Sequence, residues 1–129
     1  MIPKVLIIDD DRSLTEMFKL AIPQQGFEVF TANSGPEGIE TMRQIQPDVI
    51  VLDLMMPDMD GWQVCREIRS FSQVPILVIS AIVDAQRVMR ALDEGADDYL
   101  VKPIVPEVLI SRMKRLVRQA YNNRKNNDL

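Results

Sequence analysis

Val49-Ile50-Val51-Leu52-Asp53 is an unbroken apolar run, mostly β-branched, that stops on a carboxylate. A strand with no polar residue on either face suits a sheet covered on both sides, the usual setting of parallel strands. Three more segments share this form. They are Val5-Leu6-Ile7-Ile8 before Asp9-Asp10-Asp11, Ile76-Leu77-Val78-Ile79 before Ser80, and Tyr99-Leu100-Val101 before Lys102-Pro103. Parallel strands share one carboxyl edge, so the polar residues ending all four runs converge there, where open α/β folds bind ligands. Carboxylates, a hydroxyl and an ammonium in one crevice point to a divalent cation and a phosphoryl group.

Between the strands the spacing turns helical. Residues 13–25 carry Leu14, Met17, Phe18 and Ala21 on one stripe, which predicts a helix ended by Gly26. Residues 27–32 predict a second strand. Asn33 or Ser34 then caps a helix through Gly38, Ile39, Met42 and Ile45 that Pro47 stops. After the third strand (48–52), Met55-Met56-Pro57-Asp58-Met59-Asp60-Gly61 reads as a loop. In it Asp58 and Asp60 are turn residues first and the methionines gap fillers. Residues 62–69 form a short helix with Val64, Cys65 and Ile68 inward and Trp62 packing at its start.

Pro75 opens a fourth strand, and residues 84–94 predict a helix with Val88, Met89 and Leu92 apolar and Gly95 just past its end. A fifth strand (98–101) and a final helix from Pro106, carrying Val108, Leu109, Met113, Leu116 and Val117, complete the alternation. Residues 122–128 read as frayed or linker-like. The expected organisation is one domain over 1–120 and a flexible basic tail, or the start of a linker, over 121–129. Five βα units make a doubly wound α/β sandwich.

Composition narrows the chemistry. The chain of 129 residues suffices for one domain with its own core. Its single cysteine, Cys65, excludes an internal disulfide and a multi-cysteine metal site, and reads as a small buried helix residue. There is no histidine. That removes histidine acid/base catalysis, a histidine-ligated metal and a phosphohistidine of the chain's own. Six of the fifteen Lys and Arg residues, but one of the nineteen Asp and Glu, fall within 112–129. The acidic remainder argues against nucleic-acid binding by the domain itself, and the basic end reads as the solvated face of a last helix. No apolar run has the length of a membrane span and no signal peptide is evident, so the cytoplasm is the expected location.

The chain resembles the receiver domain of two-component response regulators over about residues 3–120. The resemblance rests on Ile8-Asp9-Asp10, Leu52-Asp53 with Met56-Pro57 and Asp60-Gly61, Ile79-Ser80-Ala81, Gly95-Ala96-Asp97-Asp98-Tyr99, and Lys102-Pro103, all in order. It implies a flavodoxin-like five-stranded parallel sheet of order 2-1-3-4-5. It also implies that Asp53 accepts a phosphoryl group from a sensor histidine kinase or phosphotransfer protein. By the same resemblance Asp9, Asp10, Asp53 and the main-chain carbonyl of Met55 hold Mg²⁺, with Asp10 and Asp53 the more direct ligands. Elementary chemistry agrees. A carboxylate is a weak nucleophile that needs a cation to offset charge on the phosphoryl oxygens, and an all-oxygen site suits Mg²⁺ better than Zn²⁺.

Further roles come from the resemblance alone. Lys102 reaches the phosphoryl group, Pro103 follows a cis peptide bond, Ser80 donates its hydroxyl after phosphorylation, and Tyr99 swings inward with it. A surface made by the fourth helix, fifth strand and fifth helix then changes and acts on a downstream effector domain or protein. Asp11 reads instead as serving the first helix's N-terminus.

Two departures carry expectations. Met55 and Ile82, each two residues past Asp53 and Ser80, lack the amide or acid that would orient an attacking water, so the phosphorylated state should be long-lived. On the output face, Asp97, Asp98, Arg112 and Lys114 fit a pattern of ion pairs that joins two receivers. Val88 and Val108 stand where a further pair is expected, which predicts a weak homodimer with an apolar contact. One rival reading is a small phosphatase or hydrolase with an aspartyl intermediate, but Met55 occupies the position of its general acid. A flavin module is the other, and three aspartates after the first strand would repel its phosphate.

Overall fold

Each apolar run is a strand, and each intervening stripe is a helix. In the computed structural model, which describes residues 2–127, the order is β1 (Lys4–Ile8), α1 (Arg12–Ala21), a 3₁₀ turn (Pro23–Gln25), β2 (Glu28–Ala32), α2 (Gly35–Ile45), β3 (Val49–Asp53), α3 (Gly61–Arg69), β4 (Ile76–Ser80), α4 (Ala85–Asp93), β5 (Asp98–Val101) and α5 (Pro106–Asn127). Met1, Asp128 and Leu129 lie outside the described residues, and with them the last part of the expected tail. The five strands are parallel in the order β2-β1-β3-β4-β5. No described helix is long and apolar enough to cross a membrane.

The two-residue period of a strand sorts the central runs onto two faces. Leu6, Ile8, Ile50, Leu52, Ile76 and Val78 pack under α2, α3 and α4. Val5, Ile7, Val49, Val51, Leu77 and Ile79 pack under α1 and α5 with Phe18, Ile22, Leu109 and Met113. β3 is buried along its whole length, Asp53 included. That explains why its sequence has no polar residue until the one that serves the edge.

Short side chains cap the helices. Asp11 accepts from the Leu14 N–H at 3.2 Å, Ser34 from Glu37 at 3.2 Å, Asp60 from Gln63 at 2.9 Å and Asp84 from Gln86 at 2.8 Å. Ser34, not Asn33, is therefore the α2 cap.

Several expectations need correction. α1 stops at Ala21 because Pro23 has no N–H to continue it, and the chain turns through Pro23–Gln25 instead. The inward side of α1 is Thr15 and Phe18, and Met17 is exposed. In α4 the buried residue is Ala91, while Met89 and Leu92 are 60% and 44% exposed. Val108, expected on the output face, lies outward at 43% exposure. Residues 121–127, expected to be a loose tail, continue α5 as helix. Nothing in that stretch breaks a helix, and the basic side chains at its end favour the negative pole of the dipole.

Candidate functional site

Register brings the site together. Ile8 pairs with Leu52, so Asp9 and Asp53, each one residue further on, sit side by side at the carboxyl edge. Ser80 pairs with Val101, and the Lys102 N–H donates to the Ser80 carbonyl at 2.8 Å, which sets Lys102 beyond the neighbouring strand. Its Nζ lies 3.1 Å from an Asp9 carboxylate oxygen and 3.7 Å from one of Asp53. The Lys102–Pro103 peptide bond is cis.

Carboxylate oxygens of Asp9, Asp10 and Asp53 all lie within 4.8 Å of one another, with Asp10 exposed and the other two buried. The Asp11 N–H donates to Asp9 at 2.9 Å and the Met55 N–H to Asp53 at 3.4 Å. Three acids and one lysine thus gather at a partly buried site, with Asp10 and part of the Lys102 side chain open to solvent. Burial pushes the Asp53 carboxyl up to about 6, and the negative charge of Asp9 adds to that. The Lys102 ammonium and the Met55 N–H pull the other way, and Asp10 raises it slightly. The excess of close carboxylates over cations, all through oxygen, fits a small hard cation. Asp9, Asp10 and Asp53 are the side chains able to hold it.

Ser80 is fully buried at the next strand end, and its Oγ accepts from the Ile82 N–H at 3.2 Å. The Ile82 carbonyl in turn accepts from the Tyr99 hydroxyl at 2.9 Å. The main chain of one residue, Ile82, therefore joins the two side chains. Tyr99 is half-buried, its ring packed on the core under α2–α4. The Met55 side chain is exposed and carries no amide or acid.

The charges expected to bridge two copies are closed within one chain. Asp98 pairs with Arg112 at 2.8 Å and Arg115 at 3.2 Å. Asp97 pairs with Arg69 at 2.9 Å and accepts from the Ile76 N–H at 2.8 Å, an arrangement that fixes the start of β5. Lys114 points to the other side of α5, beside Pro3, Phe27 and Tyr121. Val88 is half-buried on α4.

Asn33 was missed as a site residue. Its side-chain N–H donates to the Asp9 carbonyl at 2.8 Å and to the Thr15 hydroxyl at 3.2 Å, which ties the acidic loop to α1 and β2. The signal was present, since Asn33 ends the second strand as the other site residues end theirs.

The chain matches the family model described as "Response regulator receiver domain" over residues 5–114. It is 42% identical over 117 residues to the transcriptional regulatory protein AfsQ1 of Streptomyces coelicolor, covering 91% of this chain and 52% of that protein. It is 38% identical over 116 residues to the DNA-binding response regulator MtrA of Mycolicibacterium paratuberculosis, covering 90% and 52%. The chain thus spans about half the length of these relatives. Among solved structures, the receiver domain of the Francisella response regulator 1452 superposes with a TM-score of 0.86 at 32% identity, covering 92% of this chain and 98% of that one. These relatives are regulators, so the phosphatase alternative finds no support.

Proposed function

The chain belongs to the response regulator receiver domain family, and from that premise we propose that Asp53 is its phosphoacceptor and Mg²⁺ its cofactor. The observation that carries this reading is the buried Asp53 carboxylate between the acids at 9 and 10 and the Lys102 ammonium. One carboxylate oxygen of Asp53 attacks the phosphorus of a phosphohistidine on a sensor kinase or phosphotransfer protein. The P–N bond breaks, an acyl phosphate P–O bond forms, and the imidazole leaves.

Bound at Asp9, Asp10, Asp53 and the Met55 carbonyl, Mg²⁺ would neutralise charge on the transferring oxygens. Lys102 takes a second phosphoryl oxygen and in doing so loosens its contact with Asp9. Attack requires the ionised Asp53 carboxylate, whose raised pKa the cation would lower again.

Ser80 then donates its hydroxyl to the third oxygen. The Ile82 main chain, its N–H bonded to Ser80 and its carbonyl to Tyr99, supports a relay to the surface of α4, β5 and α5. That surface acts on an effector domain or protein, and it pairs weakly with a second copy. Val88 and Val108 are central to this contact, and Asp97, Asp98 and Arg112 border it. The domain works in the cytoplasm and does not itself bind nucleic acid.

Incubation with acetyl phosphate and Mg²⁺ tests the reading by intact mass. The protein should gain one phosphoryl group, and Asp53→Asn should gain none. An unmodified wild-type protein, or an Asp53→Asn protein modified to the same extent, contradicts it.

A further inference from the structure

α4 owes little of its position to the hydrophobic core. Of its nine residues only Ala91 is buried. What fastens it is a row of contacts from α3. The Trp62 indole N–H donates to the Arg87 carbonyl at 3.3 Å, and the Arg90 guanidinium lies over the Trp62 ring at 4.8 Å from its centroid. At the far end the Cys65 thiol donates to the Glu94 carbonyl at 3.3 Å, and Arg66 pairs with Glu94 at 3.2 Å.

α3 is itself locked to the acceptor strand. A Cβ on Gly61 would stand 2.5 Å from the Asp53 carbonyl oxygen and 2.6 Å from the Leu54 Cα, so this close approach requires glycine. The Gly61 N–H also donates to the Leu54 carbonyl at 2.9 Å. The residue straight after this weld is Trp62. α4 is therefore held on one side by a helix that cannot shift relative to Asp53. On the other side it continues from residues 81–84, the loop whose Ile82 main chain bonds both Ser80 and Tyr99.

We propose that Trp62 is a positioning residue that latches α4 in the arrangement of the unmodified protein and so opposes the phosphorylated one. The inference rests on the phosphoacceptor reading above. Recruitment of Ser80 by a phosphoryl oxygen withdraws the acceptor of the Ile82 N–H and pulls on residues 81–84. The first turn of α4 follows, and the Trp62–Arg87 bond and the Arg90 stack must then break. A ligand at Asp53 that works against a latch binds less tightly for it, because the competent state is a smaller fraction of the population. Linkage makes the effect reciprocal, so release of the latch should tighten that ligand.

Beryllofluoride with Mg²⁺ serves as the probe, read by fluorine NMR so that no tryptophan is needed. Trp62→Phe keeps an aromatic ring and loses the N–H, and Arg90→Gln keeps the indole and loses the stacked cation. Each should bind beryllofluoride about threefold or more tightly than the wild type, although a merely structural defect would weaken binding. Trp62 is the sole tryptophan, so its emission should change when wild-type protein is saturated and stay constant in Asp53→Asn. Wild-type protein that takes up no beryllofluoride overturns the receiver reading and the latch with it. Wild-type binding matched or weakened in both variants, or emission that does not respond, overturns the latch alone.

Discussion

β3 and α4 are the two extremes of this molecule. β3 is buried at every position from Val49 to Asp53 and hydrogen-bonded on both sides, to β1 and β4. α4 is anchored by Ala91 and by side-chain contacts from α3. The strand holds the Asp53 carboxylate in a fully packed frame, whereas the helix depends on few contacts. A switch requires both, because a group that moved with its own output would give no signal and a fully packed output would not move. Elements that change in such proteins are drawn from the weakly held end of the stability range.

Truncation should expose the contrast most sharply. Leu52→Ala removes a fully buried side chain from the centre of the core, with an expected loss of about 3 to 5 kcal/mol in urea unfolding. Leu92→Ala on α4, half-exposed, should cost less than about 0.5 kcal/mol. Similar losses at the two positions would mean that α4 is packed far better than its burial indicates.

Asp53, at the end of β3, should leave the next largest mark, through pH. Its folded pKa of about 6 exceeds the ordinary 3.8, so the folded protein holds this proton more tightly than the unfolded chain does. The associated stability is complete below 3.8 and is lost as pH rises through about 6. In metal-free protein at pH 8, Asp53→Asn should therefore be more stable than wild type by up to about 3 kcal/mol. The advantage should vanish at low pH, and Mg²⁺ should narrow it by stabilising the wild type. Thermal melts with and without Mg²⁺ check both signs. An equal advantage at both ends of the range would count against ionisation of Asp53 as its source.

The same contrast governs what could be read in the sequence. β1, β3 and β4 were legible because a strand buried on both faces leaves no choice but apolar residues, and the polar residue ending each run then stands out. Asp9, Asp53, Ser80 and Lys102 were singled out in this way, and the structure places them along one sheet edge. The facing of α4 was not legible. Met89 and Leu92 look like core residues by spacing, and only tertiary structure reveals that the inward position belongs to the small Ala91. Arg69 and Arg115 left no sequence signal, since an arginine on a helix reads as solvated until its partner across the chain is known. The tail was misjudged because asparagine and charge suggest disorder, but α5 extends into it as helix.

Smaller effects on stability are expected at the output face, with larger ones on association. Val88→Ser and Val108→Ser should hardly change unfolding, because neither side chain is fully buried. Both should shift sedimentation of the beryllofluoride complex from a weak dimer towards monomer. Asp98→Ala should act less on association than on the placement of α5, since its carboxylate is already engaged by Arg112 and Arg115. A wild-type complex that remains monomeric at high concentration would sink the apolar dimer.

The smallest change concerns how long the proposed phosphorylated state lasts. Hydrolysis of the acyl phosphate needs a water aligned with the phosphorus, and a side chain at the site's mouth is the natural means of holding it. The Met55 side chain is exposed, and its thioether is at best a weak acceptor. Its N–H is directed at Asp53 instead. Ile82, the other residue expected to lack such a group, bonds Ser80 and Tyr99 through its main chain alone. The phosphorylated protein should therefore persist for minutes or longer without a phosphatase, and Met55→Asn should shorten that lifetime several-fold by supplying both a donor and an acceptor. Phosphate release from purified protein measures it. A wild-type half-life of seconds would mean that water is aligned by the buried acids and Lys102 alone, and that the identity of residue 55 has no bearing on the duration of the signal.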